Sequence, residues 1–165
     1  MNKPLTVTNA LGNTISFGYD ASGNMTSITD ALENTSQMAY DSKGRVTSST
    51  DALGNEWLYT YDGNGNLTAS TNPLGNAKSY LYNKLGLLTL AKDELGNETA
   101  FAYSLNGQVE TVTDAKGGIV KYAYNANGQP ISVTDQLGNK SQYTYDAEGR
   151  LLTEIDQVAN LTTYT

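Results

Sequence analysis

Polar turn formers and short apolar stretches alternate along this chain with a fixed beat. Turns open at Asn9, Asp20, Asp30, Asp41, Asp51, Asp62, Asn72, Asn83, Asp93, Ser104, Asp114, Asn125, Asp135, Asp146 and Asp156, with spacings that alternate strictly between 11 and 10 residues. Each turn opener is typically followed three residues later by Gly, as in Asp51 to Asn55 and Tyr61 to Asn66. That suits a type I turn: the short polar side chain caps the first residue and Gly accepts the positive φ that follows. The stretches between are rich in Tyr, Thr, Val, Leu and Ser, and six or seven residues is a typical strand length. None reaches the roughly 12 residues of an amphipathic helix. Strands joined by such short turns must be antiparallel, because parallel neighbours need a long crossover. Fourteen strands between the turns and one at each end are predicted.

Two turns and two strands make one row of 21 residues, and rows begin at Thr8, Thr29, Thr50, Thr71, Lys92, Thr113 and Thr134. The pattern predicts an all-β fold, a repetitive antiparallel β-hairpin meander with two strands per repeat, coiled into a curved or spiralling sheet, since wide twisted sheets rarely stay flat. The whole chain, 1–165, reads as a single array, with seven complete repeats over 8–154 and partial repeats at 1–7 and 155–165. It opens partway through a repeat, with Lys3-Pro4-Leu5-Thr6-Val7 paralleling Gln129-Pro130-Ile131-Ser132-Val133. Because 21 is odd and side chains alternate between faces, each row is expected to contain one bulge, placed beside the Gly of one turn.

Aromatic residues two apart recur once per row: Phe17/Tyr19, Tyr59/Tyr61, Tyr80/Tyr82, Phe101/Tyr103, Tyr122/Tyr124 and Tyr143/Tyr145, with Met38/Tyr40 a variant. Such residues share a face. The second of each pair precedes a turn, so its cross-strand neighbour should be Met25, Val46, Leu67, Leu88, Val109, Pro130 or Leu151, a favourable aromatic–aliphatic pairing. The stripe reads first as the core of the fold, and second as a platform for sugar or protein.

The chemistry of the side chains narrows the function. With 10 basic and 17 acidic residues the net charge is −7, which repels phosphate backbones and argues against nucleic acid as a partner. There is no Cys and no His, so thiolate zinc sites, disulfides and the commonest general base are excluded. No apolar run is long enough for a membrane helix, and the N-terminus lacks an apolar signal-peptide core. Almost every Asp opens a turn, which marks it as a cap and not as a catalytic acid. Asp-x-x-Gly-Asn has some likeness to calcium-binding loops, but Asn or Ser replaces the Asp at several rows without loss of the pattern. No catalytic residue, metal ligand or cofactor is therefore assigned.

Tyr143-Thr144-Tyr145-Asp146-Ala147-Glu148-Gly149-Arg150-Leu151 resembles the signature of the YD-repeat family, seen in Rhs proteins, the shell subunits of insecticidal toxin complexes, bacterial wall-associated proteins and the teneurins. The signature positions are Tyr19, Asp20 and Gly23; Tyr40, Asp41 and Gly44; Tyr61, Asp62 and Gly65; Tyr82 and Gly86; Tyr103 and Gly107; Tyr124 and Gly128; and Tyr145, Asp146 and Gly149. Asn83, Ser104 and Asn125 replace the Asp, and Asn24 and Asn66 replace the Arg. The resemblance implies a β-sheet wound into a hollow shell, enclosing a toxic C-terminal domain in several members. It implies a non-enzymatic wall segment, secreted or at the cell surface in the parent protein. The partners implied are adjacent repeats and an enclosed toxin domain; free strand edges add end-to-end self-association. The alternative is an adhesive or carbohydrate-binding module.

Overall fold

The computed structural model describes residues 3–165. The opening of the first partial repeat, Met1 and Asn2, lies outside the described residues. Sixteen strands and no helix are present among them: β1 Thr6–Thr8, β2 Thr14–Tyr19, β3 Met25–Thr29, β4 Thr35–Tyr40, β5 Val46–Thr50, β6 Glu56–Tyr61, β7 Leu67–Thr71 and β8 Ala77–Tyr82. β9 Leu88–Lys92, β10 Glu98–Tyr103, β11 Val109–Thr113, β12 Ile119–Tyr124, β13 Pro130–Thr134, β14 Lys140–Tyr145, β15 Leu151–Ile155 and β16 Leu161–Thr163 complete the set. They lie in chain order in one sheet, an antiparallel meander as the turn spacing predicts. Interior strands alternate between six and five residues, slightly shorter than the sequence pattern indicates. The chain divides into two compact units, one ending at Ser79 and one beginning at Tyr80.

All fifteen turns close in the same way. The opener's N–H donates to the carbonyl four residues on, and the residue three on donates back to the opener's carbonyl, as in Asp41 N–H to Arg45 O (2.9 Å) and Gly44 N–H to Asp41 O (3.0 Å). The third-following residue has φ near +80°, for instance 78° at Gly44 and 85° at Gly54. Glu33 and Ala159 adopt the same conformation at 67° and 68°, where an L side chain is strained.

One bulge per row is present, but it is not at a glycine. Tyr40 faces Val46 whereas Ala39 faces Ser48, so Thr47 has no partner on β4. The same shift recurs at every YD hairpin whose register is described. The physical reason lies in the turns. Both turn types have the same length, so without the bulge Gln37 would face Ser49, which faces Trp57, an even advance of 20. Row-equivalent residues, 21 apart, would then fall on opposite faces. With the bulge Gln37 faces Thr50, which faces Glu56, an odd advance of 19. Leu58, the row equivalent of Gln37, stands two residues from Glu56 and on its face. The two turns of each row close with the same hydrogen-bond pattern, so their contributions cancel in parity.

Within each unit, strands touch only their sequence neighbours, and no element packs across a face. Among the described residues no apolar side chain is buried, and Ser132 alone is. The expectation that the aromatic stripe forms an enclosed core is therefore corrected. Trp57, Tyr59 and Tyr61 line one face of β6 half-buried, while Glu56, Leu58 and Thr60 on the other face are exposed. A sheet with no second layer covers its rings only edge to edge, along the ladder.

Candidate functional site

Six of the seven expected cross-strand pairs are described, all but that of Leu88, and all six form. Tyr19 faces Met25, Tyr40 faces Val46, Tyr61 faces Leu67, Tyr103 faces Val109, Tyr124 faces Pro130 and Tyr145 faces Leu151. What sequence reasoning missed is where the phenols go. Tyr40 Oη–H donates to Met25 O (2.7 Å), Tyr61 to Val46 O (2.9 Å), Tyr103 to Leu88 O (2.7 Å), Tyr124 to Val109 O (2.9 Å) and Tyr145 to Pro130 O (2.8 Å). Each acceptor is 15 residues earlier, on the strand before the tyrosine's own.

The reason is local. Asp20 N–H bonds Asn24 O, so the adjacent Tyr19–Met25 pair is a non-hydrogen-bonded one, and the Met25 carbonyl points away from β2 toward β4. The β3–β4 ladder ends at Ser27 and Gln37, leaving that carbonyl without a backbone donor. The Tyr40 hydroxyl supplies one. The YD tyrosine is thus a clamp between rows, and because its acceptor is a backbone carbonyl, no residue type in the sequence marks it.

The aspartates are caps. Asp62 Oδ1 accepts from the N–H groups of Asn64 and Asn66 (both 2.9 Å), and Oδ2 from Asn66 Nδ2 (2.9 Å). In the Arg-bearing turns a guanidinium replaces the amide, with Arg45 Nε on Asp41 Oδ2 and Arg150 Nε on Asp146 Oδ2, each at 2.6 Å. Asn83 does the same work through Oδ1, accepting from Leu85 and Leu87 N–H at 2.9 and 3.0 Å. Ser104 retains one bond, from Gln108 N–H at 3.2 Å. The Asn24 side chain, followed by its backbone N–H, holds the Asp20 carboxyl below the usual range, and the Asn66 side chain does so for Asp62. The Arg45 and Arg150 backbone N–H groups lead the same effect on Asp41 and Asp146. A general acid needs the opposite shift.

A second set of side chains links successive YD turns. Lys43 Nζ donates to Gly63 O (3.0 Å), Gln108 Nε2 to Gly128 O (2.9 Å) and Gln129 Nε2 to Gly149 O (2.8 Å), and Lys3 Nζ reaches Gly23 O. Arg45 adds a bond from Nη1 to Asp62 O (3.1 Å), with its guanidinium 4.5 Å from the Tyr61 ring centroid. Arg45 therefore caps its own turn and stacks on the next row's tyrosine. Where Gly118 lacks the amide that other rows present, Gln136 Nε2 reaches Asp114 Oδ2 (2.6 Å) in its place.

Among the described residues no group of three or more His, Cys, Asp or Glu is placed to hold a metal ion. No helix among the described residues is long and apolar enough to cross a membrane. The chemistry this surface performs on itself is hydrogen bonding from row to row.

A family model described as Teneurin YD-shell matches residues 1–160. Comparison with curated sequences finds no match. Among solved structures, the crystal structure of TcdB2-TccC3-Cdc42 is similar over 86% of this chain at 16% identity, with a TM-score of 0.70. A structure of the Photorhabdus luminescens Tc holotoxin pore is similar over 92% at 19% identity, with a TM-score of 0.69. This chain spans 9% of the length of each.

Proposed function

The chain belongs to the Teneurin YD-shell family, and from that premise we propose that it is a non-catalytic wall segment of a YD-type shell enclosing a toxin or effector domain. The observation that carries the reading is that the signature side chains are spent inside the array. The Tyr61 hydroxyl is bonded to Val46 O and the Asp62 carboxylate to its own turn, so neither faces a substrate free. Similarity in fold to the Tc structures supports the same role, and one of those structures is a toxin pore. We read residues 1–165 as one array of seven complete repeats over 8–154, the tyrosines, aspartates and glycines named above being its repeat signature. The parent protein is read as secreted or displayed at the cell surface.

The test uses the parent chain. Removing one whole row, residues 50–70, should leave a folded shell whose enclosed domain resists protease until the wall is denatured. Removing residues 50–59 alone keeps the faces but moves every later YD turn to the opposite rim, which breaks row-to-row links such as Arg45 to Asp62 O and should expose that domain. An enclosed domain cleaved equally in all three chains would sink the reading. The adhesive alternative rests on Tyr59, half-buried on the aromatic face, with a hydroxyl that makes no hydrogen bond within the described residues. Glycan binding lost on Tyr59→Ala would favour it.

A further inference from the structure

Three asparagines of this chain are followed directly by glycine: Asn64-Gly65, Asn106-Gly107 and Asn127-Gly128. All three stand at the same place, third in a YD turn, and all three are exposed. The pair is chemically labile. Glycine leaves its own backbone nitrogen unshielded by a side chain, and that nitrogen lies one five-membered ring closure from the asparagine amide carbon. Attack requires the glycine N–H to leave its bond to the turn opener's carbonyl, so the rate follows how readily each turn opens. Those closing bonds are Gly65 to Asp62 O at 3.2 Å, Gly107 to Ser104 O at 3.0 Å and Gly128 to Asn125 O at 3.0 Å.

The caps hold the three turns unequally. Around Asn64 the Asp62 carboxylate accepts from Asn64 N–H, Asn66 N–H and Asn66 Nδ2, each at 2.9 Å, which offsets the longer closing bond. Around Asn127 the Asn125 side chain accepts from Asn127 and Gln129 N–H, each at 3.0 Å, and donates to Gln129 Oε1 at 2.9 Å. Ser104 Oγ accepts only from Gln108 N–H, at 3.2 Å, and nothing holds Asn106 N–H among the described residues. We propose that Asn106 is a self-modification site, where the Gly107 nitrogen closes on the Asn106 amide carbon, and that its serine opener makes it the most reactive of the three. The Gly107 N–H gives up its proton, the new N–C bond forms, and the amide C–N bond breaks to release ammonia. Water then opens the resulting succinimide at either carbonyl, leaving aspartate or isoaspartate at residue 106, with no change in oxidation state. Isoaspartate adds one methylene to the backbone between Ser104 O and the Gly107 N–H that closes the turn from β10 to β11. This goes beyond the wall role and does not depend on it.

The experiment is a time course on the full chain at mildly alkaline pH in water enriched in oxygen-18, read by peptide mass mapping. Peptides containing Asn106 should gain the mass of an amide-to-acid exchange carrying one heavy oxygen. They should do so at least about fivefold faster than peptides containing Asn64 or Asn127, the change in open population that one missing capping bond produces. Part of the product should resist a protease that cuts before aspartate, which marks isoaspartate. In denaturing urea the turns are lost, and the three sites should react at comparable rates. Ser104→Asp rebuilds the cap that Asp62 provides and should slow Asn106 to the rate of Asn127 in the folded chain. An Asn106 that stays unmodified, that reacts no faster than Asn64 and Asn127, or whose rate ignores Ser104→Asp would overturn the proposal. So would the same ranking in urea, which would assign the difference to local sequence and not to the turn cap.

Discussion

Replacing Tyr61 by Phe isolates the clamp from the ring. The substitution keeps the aromatic body, its pairing with Leu67 and the Arg45 guanidinium above it, and removes only the hydroxyl that bonds Val46 O at 2.9 Å. Val46 O then loses its donor at a point where the ladder offers no backbone N–H. A neutral hydrogen bond contributes about 1 kcal/mol net, and an orphaned carbonyl costs up to about 3 kcal/mol when fully buried. Val46 and Tyr61 are both half-buried, so water recovers part of the loss, and about 1 kcal/mol is expected. With a urea m-value of about 2 kcal/mol/M, the midpoint should fall by about 0.5 M. Tyr59→Phe is the matched control, since its hydroxyl has no partner among the described residues, and it should stay within about 0.1 M of the parent. Tyr103→Phe, which removes the bond to Leu88 O, should repeat the loss, and the two distant substitutions should add. Equal shifts for Tyr59→Phe and Tyr61→Phe would refute the clamp and return the stripe to a purely hydrophobic role.

Two further outcomes follow from the turns. Glu33→Gly places glycine where the backbone already has φ 67°, and it should raise stability by about 0.5–1 kcal/mol in a urea melt, the relief of left-handed strain outweighing glycine's added chain entropy. The capping aspartates have carboxyls held below their ordinary range, Asp51 chiefly by the Asn55 side chain, so their contribution is complete above the unfolded pKa of about 3.9 and is lost as pH falls through the lower folded values. Urea midpoints measured from pH 7 downward should hold and then drop below about pH 4, and Asp51→Asn should flatten that drop; a midpoint that rises on acidification would contradict the capping role.

The meander was legible in the sequence because turn chemistry is local. Asp20, Asn72 or Ser104 caps its own backbone, and the alternating spacing of 11 and 10 residues leaves room only for short antiparallel strands. The face of each tyrosine and its partner across the hairpin were legible for the same reason, since both follow from counting outward from a turn. A bulge was required by parity, yet its place at Thr47 was not legible, because any residue of the hairpin satisfies the count and only the packing beside Tyr40 selects one. The tertiary structure alone decided that within each unit no described element covers the tyrosine face, that the phenols reach a carbonyl 15 residues back, and that Arg45 lies over Tyr61. These are relations between rows, set by how adjacent hairpins are staggered. A one-dimensional pattern repeats the residues of each row without stating which of its neighbours they touch.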